Sequence, residues 1–284
     1  MSRFQLIWRK SLNGVMLTLT GVAAFAVVAV LFFILGYFIY NGGKSLNWDF
    51  FTKLPKPVGE TGGGMANAIV GSLKLLLLAA VMGLPVGLLA GVYLAEFGGK
   101  TFSFVIRYTT DLLNGVPSIV IGIFAWSLVV APVKQFSTLA GGFALGMMVI
   151  PITVRSTEEF LRAVPGSLRE GAMALGASKW RTISSVILPA ASGGILTGML
   201  LALARVAGET APLLFTAFGN QFWSPGWRQP ISALPIMIYK YAISPYDDWH
   251  RQAWAAGLVL LALVLIANLG CRLVLNRRGN FRSV

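Results

Sequence analysis

The 284 residues include a single cysteine, a single histidine and ten acidic side chains. Cys271 has no partner for a disulfide within the chain, and Cys271 with His250 makes no metal cluster, so no metal site is expected. Paired acid and base residues, a nucleophile elbow and a phosphate-cradling glycine loop are also missing. Catalysis is therefore not expected, and that includes ATP hydrolysis. Charge is scarce as well, at 12% of residues, where soluble domains carry about a quarter. Apolar residues reach 56%, which marks an all-α integral membrane protein. The net charge of +13 does not point to nucleic acid, because the basic residues are scattered between apolar runs instead of covering one soluble face.

A spanning helix takes about 20 apolar residues. Such stretches lie near 16–40, 67–94, 113–132, 138–154, 189–208 and 254–275, predicting six transmembrane helices. The first is too long for the apolar part of a signal peptide and is expected to remain as a helix. Of the 23 Lys and Arg, fourteen fall on the side of the termini and seven opposite, with Lys74 and Arg205 inside spans. This excess predicts both termini in the cytoplasm of an inner-membrane, multi-pass chain. Trp48, Trp223, Trp227, Trp249 and Trp254 then fall at the outer boundary, where indole rings anchor in lipid headgroups. Lys74 near an outer helix end is expected to snorkel. Five prolines between 212 and 245 forbid one continuous helix there. Residues 231–243 are too short to span, and are expected to lie along the outer interface or dip partway in.

Two stripes of small residues, Gly83/Gly87/Gly91 and Gly194/Gly198/Ala202, allow helix backbones to approach closely, within this chain or on another membrane subunit. Arg205 and Glu209 extend the second stripe within an arc of about 80°. Their order places Glu at the negative end of the helix, which is poor for a purely stabilising pair. Asp111 precedes the third span and is expected to cap it, with gating as the alternative. Pro117 and Ser118 are expected to loosen that span's backbone, by kinking it or lining a pore.

The polar stretch "REGAMALGASKWRTISSVILP" (169–189) interrupts the apolar spans. Its small residues suit docking into another protein's groove, and Glu170, Lys179 and Arg181 can set register. A partnerless amphipathic surface loop is the plainer alternative. Pro189 suits a first helical turn and is expected to start the fifth span.

Glu170, Gly171, Ala172, Gly176, Val186, Leu188 and Pro189 resemble the EAA loop of binding-protein-dependent ABC importer permeases. Gly171 stands where that pattern has Ala, and Val186 where it has Ile. The strings "GGGMANAIVGS" (62–72), "DLLNGVPSIVIGIF" (111–124) and "ARVAGETAPLLFTAFGNQFWS" (204–224) are similar to PstA-type permeases of phosphate importers. The resemblance implies a type I ABC importer (MetI-like) fold whose cytoplasmic coupling helix meets an ATPase through Glu170, Gly171, Ala172, Gly176, Leu188 and Pro189. It divides the chain into an N-terminal helix and outer loop (1–65), a permease domain (66–275) and a basic tail (276–284). It implies a dissimilar second permease (PstC-type), an ATPase dimer (PstB-type) that uses ATP and Mg, and an extracytoplasmic phosphate-binding protein (PstS-type). Lipid is the remaining partner, and no cofactor is bound by this chain itself. By the same resemblance Arg205 is a transport residue whose planar fork fits a phosphate oxyanion, with Glu209 and Thr210 beside it. Sulfate, molybdate or phosphonate would suit the same fork. An ion-coupled secondary transporter or a non-transporting sensor are further alternatives, although the former would need a coupling-ion site and repeated halves.

Overall fold

The computed structural model describes residues 3–60 and 62–279, with the backbone alone at 4, 271, 272 and 274–279. Residues 280–284 of the basic tail, and the remaining side chains of 276–279, lie outside the described residues. The described chain is helical, with α1 (Arg3–Gly43), α2 (Trp48–Thr52), α3 (Ala66–Glu96) and α4 (Lys100–Gly115) in its first part. There follow α5 (Ser118–Val133), α6 (Thr138–Arg162), α7 (Gly166–Ala174), α8 (Lys179–Ala207), α9 (Ala211–Thr216), α10 (Leu234–Ala242) and α11 (Asp247–Gly279). Five helices, α1, α3, α6, α8 and α11, are long and apolar enough to cross a membrane, and the bent pair α4–α5 makes the sixth span.

At the centre α6 lies between α3 and α8, and two-thirds of its most apolar stretch is buried. Both small-residue stripes face it. A Cβ on Gly87 or Gly91 would sit 2.5 Å from the Cβ of Thr153 or Thr157. On Gly194 or Gly198 it would meet Phe160 at 2.1 Å or Ser156 at 2.4 Å. The stripes are thus spent on packing within the chain. Without a hydrophobic force between helices in lipid, such backbone proximity supplies the dispersion contact that holds them.

The third span departs from expectation. A single helix over 113–132 gives way to α4, a break at Val116-Pro117 and then α5, with a 106° change of direction. Val116 is extended (φ −71°, ψ 130°), as the residue before a proline prefers. Asp111 accordingly lies inside α4 and caps nothing. α5 is only 16 residues long, or ~24 Å at 1.5 Å per residue, short of a ~30 Å hydrocarbon layer.

The fifth span also differs. It begins at Lys179, capped by Ser178, whose Oγ accepts the Arg181 N–H. Pro189 therefore lies within the helix and does not start it. The helix survives because the turn Ile183–Ile187 widens to a π turn, in which the Leu188 N–H reaches back to the Ile183 carbonyl. The extra residue makes room for a ring that would strike the carbonyl four positions earlier. α5 does the same at Trp126–Val130, ahead of Pro132.

Residues 231–243 lead into and form α10. α10 is built into the molecule against α3 and α11, and Leu234, Ile236 and Met237 are buried. Trp254 is not a free lipid anchor either. Its ring meets Tyr37 and Phe38 edge-on at 5.1 Å, fixing the end of α1 on α11. Trp249 stacks on Tyr241 at 4.3 Å. Lys74 does not snorkel; its ammonium donates to the Ser224 carbonyl at 2.9 Å.

Gly71 of α3 meets the segment leading into α10 so closely that a Cβ would lie 1.8 Å from the Ser232 carbonyl oxygen. Gly71→Ala is expected to cost about 1–3 kcal/mol of stability through overpacking, read as a lower unfolding temperature in detergent. Gly99→Ala, where a Cβ meets nothing within 4 Å, should leave that temperature unchanged.

Candidate functional site: a docking hairpin and an intramembrane charge path

The polar interruption forms a hairpin, α7 and the first turn of α8, at one end of the bundle. α7 closes with a Gly-dependent cap. Gly176 takes φ +82°, the Gly176 N–H donates to the Met173 carbonyl at 2.9 Å, and the Ala177 N–H to Ala172 at 3.1 Å. This double bond pattern satisfies the last carbonyls of α7 and needs a residue without a Cβ penalty at the left-handed position. The function of Gly176 in the pattern is therefore geometric: it turns the chain back. Glu170, Gly171 and Gly176 are exposed and Ala172 half-buried. Leu188 and Pro189 are half-buried within α8, and Leu188 joins the packed base below. At the tip Leu175 is 91% exposed, with Trp180 and Met173 also open. An apolar tip of this kind, ringed by charge, marks an interaction surface.

Rigid seating lies beneath the tip. Arg169 pairs with Glu96 at the end of α3 (Nη2–Oε1 2.7 Å) and donates to the carbonyls of Val164 (2.7 Å) and Leu161 (2.6 Å). The Lys179 ammonium lies 4.5 Å above the Phe97 ring. Sequence reasoning passed over Arg169 and Glu96, because 73 positions separate them. The one available signal was an Arg beside the loop's Glu.

A second charged group joins α4 to α6. Arg155 forks onto Asp111, its Nε at 3.0 Å from Oδ1 and its Nη2 bonding Oδ2. Glu158, with a side chain only 4% exposed, accepts from Arg107 Nε at 2.8 Å and Arg162 Nη2 at 2.9 Å, with Arg155 Nη1 at 3.7 Å. The spacing Arg155, Glu158, Arg162 places three charges on one face of α6; the sequence reading counted the arginines only as topology markers and passed over Glu158. Glu158→Ala is expected to lose about 2–3 kcal/mol, because it leaves clustered guanidinium groups without their buried counter-charge while the arginines stay partly hydrated. Glu158→Gln should lose less; comparative detergent melting checks both.

Arg205 lies in the last turn of α8 and is exposed, while Glu209 and Thr210 are half-buried. The helix stops at Ala207, with Gly208 as its cap. Glu209 has thus left the spiral, and the expected i,i+4 pair does not form: neither side chain has a salt-bridge partner among the described residues. Thr210 stands at the N-cap of α9 without a side-chain capping bond. The α8–α9 corner thus leaves a guanidinium, a carboxylate and a hydroxyl unspent. It also approaches the broken span. A Cβ on Gly122 of α5 would lie 2.6 Å from Pro212 Cα, so Pro117 and Ser118 sit about one helical turn from that contact on one side, and Thr210 two residues away on the other. Asp111 stays apart, held by Arg155. At the opposite end from the hairpin, Lys240 donates to the Phe218 carbonyl at 3.2 Å, and burial lowers its pKa below the usual lysine value.

This architecture and its exposed hairpin define a membrane permease component, and comparison with known proteins agrees. Residues 83–279 match the sequence model of the family described as binding-protein-dependent transport system inner membrane component. A bacterial ABC transporter involved in the import of the acidic polysaccharide alginate has a chain that superposes with a TM-score of 0.64 at 16% identity, covering 95% of this chain and 98% of that one. The MetNI methionine ABC transporter superposes with a TM-score of 0.58 at 19% identity, over 75% of this chain and 94% of that one. The phosphate transport system permease protein PstA of Yersinia pestis is 44% identical over 272 residues, covering 95% of this chain and 92% of that protein. The chain belongs to the inner-membrane components of binding-protein-dependent transport systems, and among them to the PstA-type permeases. It is a multi-pass permease subunit of the type I ABC importer fold and not an enzyme; ATP hydrolysis in this family resides on a separate subunit.

Proposed function

We propose that this chain is one of two dissimilar permeases in an ATP-driven importer of inorganic phosphate, with a PstC-type partner, a PstB-type ATPase dimer that uses ATP and Mg, and a PstS-type phosphate-binding protein outside. The observation that carries the reading is the hairpin: a glycine-capped, exposed apolar tip on a seat of ion pairs, bearing Glu170, Gly171, Ala172 and Gly176. In this reading the hairpin end and both termini face the cytoplasm. The ATPase grips the tip, and its nucleotide-bound and nucleotide-free forms contact the hairpin differently, which a ligand-driven shift between two states requires.

Movement of α7 passes directly to α6, which ends four residues before it. α6 bears Arg155, so its shift relative to α4 makes or breaks the fork onto Asp111. That gives Asp111 a gating role. The break at Pro117 and Ser118 leaves α5 free to tilt apart from α4. Deeper in the path, Arg205 offers its fork to the anion, Thr210 adds a hydroxyl donor, and Glu209 repels the anion so that it is not held too tightly. A free guanidinium supports this better than a paired one would.

Gentle detergent extraction with a tag on this chain tests the assembly: an ATPase and a second, different permease should come with it. Whole-cell uptake competed by unlabelled phosphate, but not by sulfate or molybdate, tests the cargo. Competition by sulfate would move the assignment to another oxyanion.

A further inference from the structure

The two ends of α3 are both clasped by polar contacts, and each clasp holds a different working part. At the hairpin end, Glu96 is 7% exposed and takes two donors of the Arg169 guanidinium, at 2.7 and 3.1 Å. Phe97 follows beneath Lys179. The same guanidinium bonds the Leu161 and Val164 carbonyls at the end of α6. At the other end, Asn67 Nδ2 donates to the Asn220 carbonyl at 2.8 Å, Ser72 Oγ accepts the Leu234 N–H at 2.8 Å, and Lys74 holds the Ser224 carbonyl. Residues 217–234 thus hang on α3 at the face opposite the hairpin. The helix that carries both clasps has 31 residues, or ~46 Å from end to end, and lies along α6 at glycine-to-backbone distance. Interlocked packing of this density shifts as a unit and does not deform locally.

We propose that α3 is the strut linking the hairpin to the opposite face, with Arg169 and Glu96 as positioning residues that latch its inner end. Through it, engagement of the loaded binding protein on residues 217–234 changes the hairpin presented to the ATPase, and nucleotide state changes that loop in return, as linkage demands. A bare salt bridge would serve stability alone. Here one guanidinium ties together the ends of α3 and α6 and the start of α7, the three parts that must move as one for a push on the hairpin to travel. The inference rests on the reading that the hairpin docks an ATPase.

The test uses the whole assembly in lipid vesicles, with ATP hydrolysis measured with and without phosphate-loaded binding protein, and phosphate uptake measured alongside. In Glu96→Gln and Arg169→Gln, the ratio of hydrolysis with the loaded binding protein to hydrolysis without it should fall about fivefold or more, the lower range of allosteric coupling. Arg169→Lys keeps the charge, loses the fork, and should fall between. Glu96→Cys with Arg169→Cys, in a Cys271→Ser background, should regain stimulation once a short bis-maleimide joins the two thiols. Unchanged stimulation in both Gln variants overturns the proposal. So does loss of the assembled complex in them without recovery of stimulation in the cross-linked pair, since the contact would then serve folding alone. Leu175→Asp separates the underlying reading: if that variant keeps its ATPase in full, the docking surface is misplaced whatever Glu96 and Arg169 do.

Discussion

Arg205→Gln is expected to abolish phosphate uptake while the complex assembles normally. The side chain is exposed at the end of α8 and has no salt-bridge partner among the described residues, so its removal leaves no orphaned carboxylate and opens no core cavity. What disappears is a charged two-donor fork. A charge-assisted hydrogen bond contributes about 1.5–3 kcal/mol, so loss of the fork should reduce uptake on the order of 100-fold. Arg205→Lys keeps the charge without the paired donors and should retain a measurable fraction. Glu209→Gln should change uptake less than Arg205→Gln, because it removes repulsion and not attraction. The measurement is labelled-phosphate uptake set against recovery of intact complex. Loss of complex in Arg205→Gln would make the residue a structural one.

Leu175→Asp is expected to give the opposite pair of phenotypes. The side chain is the most exposed large apolar group at the hairpin tip and touches too little of its own chain to affect folding. Buried in a partner's groove, it would act as an anchor of about 2 kcal/mol or more, and a carboxylate there adds the cost of a desolvated charge. Recovery of the ATPase with this chain should drop at least about thirtyfold, while the second permease still co-purifies through the membrane. Trp180→Ser should weaken the ATPase contact less. Together the two substitutions divide the protein into a part that handles cargo and a part that receives force.

Much of this was legible along the chain. Long apolar runs and the family pattern from Glu170 through Pro189 each depend on local composition or fixed spacing. The errors fell where proline chemistry or distant partners decide. Pro189 was read as a helix start because a missing N–H is cheapest there, yet a π turn accommodated it within a helix. Pro117 was read as a loosening of one helix, yet with Val116 it separates two. Arg205 and Glu209 fit a helical arc only if the helix continues to 209, and Gly208 ends it first. Lys74 was assigned to the headgroups by depth alone, while a carbonyl 150 residues away holds it.

The sequence by itself determined that the chain lives in a membrane, that it crosses about six times, and that one polar stretch interrupts its apolar spans. These follow from transfer energies and turn preferences that each residue carries wherever it sits. Only the tertiary structure decided that both glycine stripes are used up on α6, that Asp111 belongs to Arg155, and that Arg169 and Glu96 close on each other. Those pairings depend on which backbones come within contact distance, a property of the whole bundle.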